Sequence, residues 1–270
     1  MNYQNRFVIF IDILGFKEII TSTTDKEGND VLEAITSIIN AMKLTSQLYN
    51  DGDELQNDFT KSKRVTQFSD SIVVSFEIGK LEDVFIAIEK TKLLILELVY
   101  KGFLCRGGMA LGKLLHTDEY LFGPALVEAY ELENKAAIYP RVIVNEDSLY
   151  DALKTFAQKK GSITKNDIID FQEIEKLFVK DFDGHFYLDY IIDSFTHIDY
   201  GLYEKYYAHL ESVIKAGLSL KNQSAKTKYY WMREKYNQFV KNAKSFRSIK
   251  QIKAGKDKKL LAFCKSLKPL

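Results

Sequence analysis

The fold is decided near the N-terminus by RFVIFIDIL, residues 6–14, which Gly15 follows directly. The run is β-branched, aromatic and short, so it predicts a central strand that is buried on both faces. A single carboxylate, Asp12, interrupts the run near its C-terminal end. Because an unpaired charge in so apolar a strand costs several kcal/mol, Asp12 is a candidate functional residue.

Two further β-type runs lie on either side of Ser69-Asp70. They are RVTQF at 64–68 and SIVVSF at 71–76, and their spacing predicts a tight hairpin with Asp70 at or beside its tip. The remaining strands are predicted at 105–115, around 119–123, at 141–144, and near 176–182 and 185–191. Apolar spacing of three and four residues predicts helices at 16–49 (with a loop at 23–30), 80–101 and 124–138, and a polar loop is predicted at 50–62.

The order of these elements begins β-α-β-β-α-β, which is the ferredoxin-like pattern of an α+β fold. Right-handed crossovers in that order place the first strand beside the hairpin strand at the centre of the sheet. We therefore expect Asp12 and Asp70 to approach one another although they are distant in sequence.

The charge of the chain is distributed unevenly. Residues 1–220 hold 23 Lys and Arg against 35 Asp and Glu, whereas residues 221–270 hold 15 against 2. This contrast indicates two separate roles, or a basic segment that binds the acidic part of the same chain. Helical periodicity over 200–254 then favours two domains, an α+β domain at 1–195 and a basic helical extension at 196–270.

The composition excludes several classes of protein. The two cysteines, Cys105 and Cys264, belong to no CxxC pair, which excludes a disulfide framework and a cysteine-based zinc site. No membrane-spanning run and no secretory signal is visible, so we expect a cytoplasmic protein with no membrane partner. The P-loop motif of NTPases, the GxSxG motif of α/β-hydrolases and the HExxH metal-binding motif are missing. His116 and His185 are expected to lie in turns.

Two carboxylates on neighbouring strand ends can hold divalent metal against a triphosphate, because Mg²⁺ prefers hard oxygen ligands and keeps substrate phosphates as the others. Asp12 and Asp70 are candidates for this role. The alternative for Asp12 is a helix cap and that for Asp70 is a plain turn aspartate. The amides of Leu14, Gly15 and Phe16 are candidates for binding phosphate ahead of the next helix.

Five segments in consistent order resemble the class III nucleotidyl cyclases, the adenylate and guanylate cyclase superfamily. They are FIDILGF (10–16), FSDSIVVSF (68–76), RGGMALG (106–112), FGPALVEAYELE (122–133) and RVIVNEDSL (141–149). The resemblance covers roughly residues 5–190. It implies an enzyme that forms a 3′,5′-cyclic nucleotide and pyrophosphate from a nucleoside triphosphate, with two Mg²⁺ or Mn²⁺ ions per site.

The resemblance also implies roles for individual residues. The metal ligands fall on Asp12, Asp70 and the backbone carbonyl of Ile13, and the base-recognition positions fall on Arg64 and Tyr120. The alternative for Arg64 is ordinary edge-strand charge.

The sequence departs from the family at the two positions whose side chains stabilise the transition state. The family's Asn and Arg fall on Val127 and Glu131, which can neither position a ribose nor neutralise a phosphate. Arg106 is therefore the candidate replacement cation, and Lys180 is a further candidate for binding the nucleotide. The alternative for Arg106 is an ion pair at a strand edge. The alternative for Lys180 is an ordinary solvated lysine.

Purine-specific members use residues other than Arg64 and Tyr120, so the chain is more similar to the pyrimidine cyclases of the Pycsar antiphage systems. This implies UTP or CTP as substrate and a separate effector protein that the cyclic nucleotide activates. Cyclases of this class build their sites between two catalytic domains, so one domain per chain implies a homodimer.

Two other functions stay open. One is a catalytically inactive, cyclase-like nucleotide sensor, which the departures at Val127 and Glu131 favour. The other is nucleic-acid binding through the basic extension, whose cations and aromatics are interleaved. The helical spacing of those aromatics favours packing on a core instead, so nucleic acid is not expected to be a partner.

Overall fold

The computed structural model describes residues 2–47, 62–158, 172–192, 202–245, 248–250, 252, 255 and 257–270. The chain divides into two compact units, Met1–Leu188 and Asp189–Leu270. The predicted boundary at residue 195 and nearly all of the loop predicted at 50–62 lie outside the described residues. Within the described ranges, no helix combines the length and apolarity that crossing a membrane requires.

The first unit is a mixed α and β structure with one central sheet. Its strands are β1 Gln4–Ile13, β2 Arg64–Phe68, β3 Ser71–Glu77, β4 Cys105–His116, β5 Leu121–Phe122, β6 Val142–Val144, β7 Phe178–Lys180 and β8 Phe186–Leu188. They lie in the order β2-β3-β1-β4-β6-β8-β7, and β5 pairs with the end of β4. Strand β1 is antiparallel to both β3 and β4, so the first strand is central, as its apolar sequence predicts.

Helices cover both faces of this sheet. In the first unit they are α1 Phe16–Thr21, α2 Leu32–Gln47, α3 Leu81–Tyr100, α4 Pro124–Lys135 and α5 Glu146–Gln158. Helix α5 was not predicted from the sequence. Its start is nevertheless marked by Asn145, whose side-chain oxygen accepts a hydrogen bond from the Ser148 N–H at 2.9 Å, a common N-terminal capping arrangement.

In the second unit, the helices with defined bounds are α6 Tyr203–Leu218, α7 Gln223–Ala243 and α8 Lys258–Ser266. Helices α6 and α7 pack through aromatic side chains. The rings of Tyr207 and Phe239 stack with centroids 4.1 Å apart, and the side chain of Tyr229 fills the space that a larger residue than Gly217 would need. The aromatic packing predicted for this segment is therefore present, whereas α8 lies beyond the predicted helical range.

Two glycines of β4 let neighbouring backbone come unusually close. A Cβ atom at Gly107 would lie 2.3 Å from the Phe10 carbonyl oxygen of β1, and one at Gly108 would lie 2.2 Å from the Ala129 carbonyl oxygen of α4. Real Cβ atoms do not approach oxygen so closely, so only glycine allows this packing. As a result, the C-terminal half of α4 lies directly over the start of β4.

We expect Gly108→Ala to lower the free energy of unfolding by about 2–3 kcal/mol, because the added methyl group must displace the α4 backbone. The matched control is Gly112→Ala on the same strand, where the new Cβ would lie 3.4 Å from the Ala125 Cβ and the change should stay within about 1 kcal/mol. Urea unfolding followed by circular dichroism measures both. Equal losses would show that α4 does not need the close approach at residue 108.

Candidate active site at one edge of the sheet

Asp12 and Asp70 come together at one edge of the sheet. Asp12 is paired with Ser71 in the β1–β3 ladder, and the next amide, Ile13 N–H, donates to the Asp70 carbonyl oxygen at 3.0 Å. Asp70 follows Ser69, which has a left-handed φ of 55° and forms the tight hairpin turn with it. The pairing register of β1 and β3 therefore makes the two aspartates neighbours.

Arg106 lies opposite Asp12 on the other neighbour, β4. Its Nε donates to Asp12 Oδ2 at 3.1 Å, and its Nη2 lies 2.7 Å from Oε1 of Glu133 on α4. That second contact is an ion pair without the alignment of a hydrogen bond, because Glu133 Oε1 has no hydrogen-bond partner among the described residues. The side chains are 27% exposed for Arg106, 18% for Asp12 and 5% for Glu133, so water screens these charges only partly.

Glu133 is a site residue that was not predicted from the sequence. The residue continues a buried row of α4 that begins with Ala125 and Ala129, and an acid on such a row is the signal that could have revealed it. Burial raises the pKa of the Glu133 carboxyl, and the nearby charges of Asp12 and Asp70 raise it further, whereas Arg106 opposes the rise. Arg106 therefore helps to keep Glu133 ionised beside two other carboxylates.

The oxygen donors here suit a hard cation. Asp12, Asp70 and the Ile13 carbonyl are the ligand types that Mg²⁺ and Mn²⁺ prefer. Across the described ranges, no three His, Cys, Asp or Glu side chains form a group that could hold a metal ion, so a metal here would depend on two carboxylates, on the backbone and on substrate phosphate. Burial and Asp12 raise the pKa of the neighbouring Cys105 thiol to about 12, so Cys105 is neutral and is no nucleophile.

The predicted phosphate-binding amides need a correction. The Leu14 N–H donates to the Leu104 carbonyl oxygen at 2.8 Å, so it is not available to a phosphate. Gly15 has the expected left-handed conformation, with φ 73°, and Phe16 opens α1 with a buried side chain. The Leu14 N–H is already hydrogen-bonded because the end of β1 continues to pair with the segment that leads into β4.

Arg64, Tyr120 and Lys180 lie away from this edge. Arg64 starts β2, whose far end leads to Asp70, so about six residues of extended chain, roughly 15–20 Å, separate the two. Tyr120 lies in the turn after the other end of β4, where its N–H donates to Thr117 Oγ1 at 2.9 Å. Lys180 ends β7, which β8 and β6 separate from β4, and its Nζ lies 5.0 Å from the centre of the Phe186 ring. Within one chain, the structure does not bring these residues to Asp12 and Asp70.

An open, mainly apolar groove of about 570 Å³ lies between α4 and the β2–β3 hairpin, on the sheet face that carries Asp12. Its lining comprises Phe10, Thr66, Phe68, Ser71, Val73, Leu121, Leu126, Val127, Tyr130, Glu131 and Lys135. Phe68 is 81% exposed and Val127 57%, while Glu131 forms an ion pair with Lys135 at 2.8 Å. Both departures from the family pattern, Val127 and Glu131, therefore face this groove.

A buried polar network reaches the groove from the opposite end of the sheet. His116 was expected in a turn, but it is the last residue of β4 and is 4% exposed. Its Nδ1 lies 2.8 Å from Ser75 Oγ and its Nε2 lies 2.9 Å from Thr66 Oγ1, while Arg6 Nε donates to the same Ser75 oxygen at 2.8 Å. Ser75 accepts the Arg6 N–H, and the hydroxyls of Ser75 and Thr66 meet the two ring nitrogens, so both nitrogens of the buried His116 ring have a hydrogen-bond partner.

No family model matches the sequence, and no curated protein matches it. Among solved structures, the chain is similar to the structure of a bacterial light-regulated adenylyl cyclase, at 17% identity and a TM-score of 0.39, over 58% of this chain and 82% of that one. A match this weak does not establish a shared activity.

The buried His116 makes stability depend on pH. Burial, together with the charges of Arg6 and Arg64, lowers the pKa of His116 to about 4, whereas an unfolded histidine titrates near pH 6.5. The unfolded state binds the extra proton between these values, so folding stability is lost as the pH falls from about 6.5 towards 4, by at most about 3 kcal/mol.

In His116→Asn, this part of the pH dependence should disappear, because asparagine does not titrate. Urea unfolding at several pH values between 4 and 7 measures it. The matched control is His185→Asn, in the turn before β8, which removes a histidine that lies outside this network. An unchanged slope in His116→Asn would contradict the buried neutral histidine.

Proposed function

We propose that the chain is a metal-dependent nucleotide cyclase that forms a 3′,5′-cyclic nucleotide and pyrophosphate from a nucleoside triphosphate. The observation that carries the proposal is the meeting of Asp12 and Asp70 at one sheet edge, with a cation, Arg106, on the next strand. This juxtaposition of two carboxylates and a guanidinium suits a reaction in which an anionic phosphate must be held while charge builds on it.

Asp12, Asp70 and the Ile13 carbonyl would hold Mg²⁺ or Mn²⁺. When bound, two such ions lower the pKa of the ribose 3′-hydroxyl and neutralise the departing pyrophosphate. Arg106 would supply the positive charge that Glu131 cannot, and Glu133 positions Arg106 through its ion pair at 2.7 Å. The proposal thus gives a role to the buried acid of α4 as well as to the two aspartates.

The strand order β2-β3-β1-β4 supports a ferredoxin-like core for the proposed cyclase. The separation of Arg64 and Tyr120 from Asp12 and Asp70 supports a homodimer, because one chain could then supply the metal ligands and its partner the residues that contact the base. The exposed groove is the surface on which such a partner could pack. A pyrimidine substrate, UTP or CTP, and a role in antiphage signalling through a separate effector rest on the resemblance at Arg64 and Tyr120.

A second candidate function is a catalytically inactive nucleotide sensor. The ion pair between Arg106 and Asp12 favours it, since it engages one of the two metal-binding carboxylates. The positions of Val127 and Glu131 on the groove favour it as well, because neither side chain can stabilise a phosphoryl transition state. Such a protein would bind nucleotide and pass the signal to a partner.

The test is turnover of the full chain with Mn²⁺ and each of ATP, GTP, CTP and UTP, with products identified by chromatography and mass spectrometry. We expect a cyclic pyrimidine nucleotide. Asp12→Asn and Asp70→Asn should each lower turnover at least about 100-fold, equivalent to about 2.7 kcal/mol of transition-state stabilisation, with little change in melting temperature.

The matched control is Asp147→Asn, an exposed acid in the first turn of α5 that should leave turnover unchanged. Failure to convert any of the four nucleotides would contradict the cyclase. Tight nucleotide binding by calorimetry without turnover would support the sensor in its place.

A further inference from the structure

Helix α7 buries one side and leaves the other to water. Its buried side is large and aromatic, and comprises Trp231, Met232, Tyr236, Phe239, Val240 and Ala243. These residues account for the aromatic spacing that predicts packing in this segment. They do not account for its cations, because none of the described Lys and Arg residues of α7 is buried.

Three of the five cations of α7, together with Lys244 directly after the helix, are arranged in a row. Lys226, Arg233, Lys241 and Lys244, with Tyr230 between the first two, recur at three-, four- and eight-residue spacing, which places them along one side of a helix. At a rise of 1.5 Å per residue, this basic row is about 27 Å long. None of its four cations forms an ion pair with a carboxylate in the part of the chain that the structure describes.

Tyr230 adds a flat aromatic surface to the charges of the basic row. The ring is 44% exposed, although tyrosines 206, 207 and 236 of the same unit are buried. The guanidinium carbon of Arg233 lies 5.0 Å from the centre of the Tyr230 ring, a cation–π contact that orients both groups. An aromatic ring held beside a guanidinium can stack on an unpaired base while the cation contacts the backbone.

The C-terminal segment lies beside the basic row. Asn237, which continues the spacing of the row, donates from Nδ2 to the Leu270 carbonyl oxygen at 3.1 Å and accepts from the Leu270 N–H at 2.7 Å. Two residues earlier, Lys268 is exposed. This pair of hydrogen bonds therefore holds Leu270 beside the row.

We infer that the basic row of α7 is a binding surface for single-stranded nucleic acid. The four cations match a phosphodiester backbone in charge. Unpaired bases, unlike those stacked in a duplex, can stack on Tyr230. An anionic membrane fits less well, because the large apolar side chains of α7 are buried and offer no surface for insertion. The inference is independent of the proposed cyclase activity.

The experiment measures the binding of a labelled 20-nucleotide oligothymidylate to the full chain by fluorescence anisotropy between 50 and 200 mM salt. We expect Lys241→Gln combined with Lys244→Gln to reduce the slope of log affinity against log salt by about 1.4, which is about 0.7 for each lost phosphate contact. We expect Tyr230→Ala to weaken binding ~5-fold or more, and Tyr230→Phe to retain it.

The matched control is Lys17→Gln combined with Lys205→Gln, which removes the same charge from exposed positions on α1 and α6 and should leave the slope unchanged. A duplex of equal length should bind more weakly than the single strand. The inference is overturned if the full chain does not bind at 50 mM salt, if the control pair weakens binding as much as the row pair, or if Tyr230→Ala has no effect. Binding to phosphatidylserine vesicles but not to the oligonucleotide would overturn it in favour of a membrane.

Discussion

The position of β1 between two antiparallel neighbours is the constraint on which the candidate site depends. Its pairing with β3 fixes Asp12 opposite Ser71, and its pairing with β4 fixes Asp12 opposite Arg106. A slip of one residue in either ladder would turn Asp12 to the other face of the sheet. Because Phe7, Ile9 and Ile11 fill that other face and are fully buried, hydrophobic burial opposes such a slip strongly. The apolar core therefore fixes the position of the charged groups.

The charged edge depends on Arg106, the cation that offsets part of the negative charge of Asp12, Asp70 and Glu133. Removing a carboxylate from water costs several kcal/mol unless a cation and hydrogen bonds compensate. Glu133 is brought into this environment by the close approach of α4 to Gly108, and Arg106 offsets the cost by lying between Glu133 and Asp12. The glycines of β4 thus affect the electrostatics of the site. They allow α4 to pack closely, and α4 carries Glu133, whose charge Arg106 partly offsets.

The sequence predicts much of this arrangement because much of it follows from local pattern and chirality. The strand at β1, the hairpin at Asp70 and the crossover order were enough to expect two neighbouring aspartates. The spacing of Ala125, Ala129 and Glu133 marks an acid on the buried side of α4, but the closeness of Glu133 to Arg106 depends on a contact between α4 and β4 that no local pattern records. The same is true of Leu14, whose amide is engaged by the distant Leu104 carbonyl, and of His116, whose ring hydrogen-bonds Ser75 and Thr66 on two other strands.

The ion pair of Arg106 with Asp12 bears on how the proposed cyclase would bind its substrates. A divalent cation at Asp12 would add positive charge next to Arg106, and the two would repel unless an anion lay between them. A triphosphate is such an anion, and it would give the guanidinium a bidentate partner in place of the carboxylate. Metal and nucleotide would then each raise the affinity of the site for the other, because each relieves the charge that the other introduces. The ion pair that favours an inactive sensor is therefore also the arrangement expected of an active cyclase before metal and nucleotide bind.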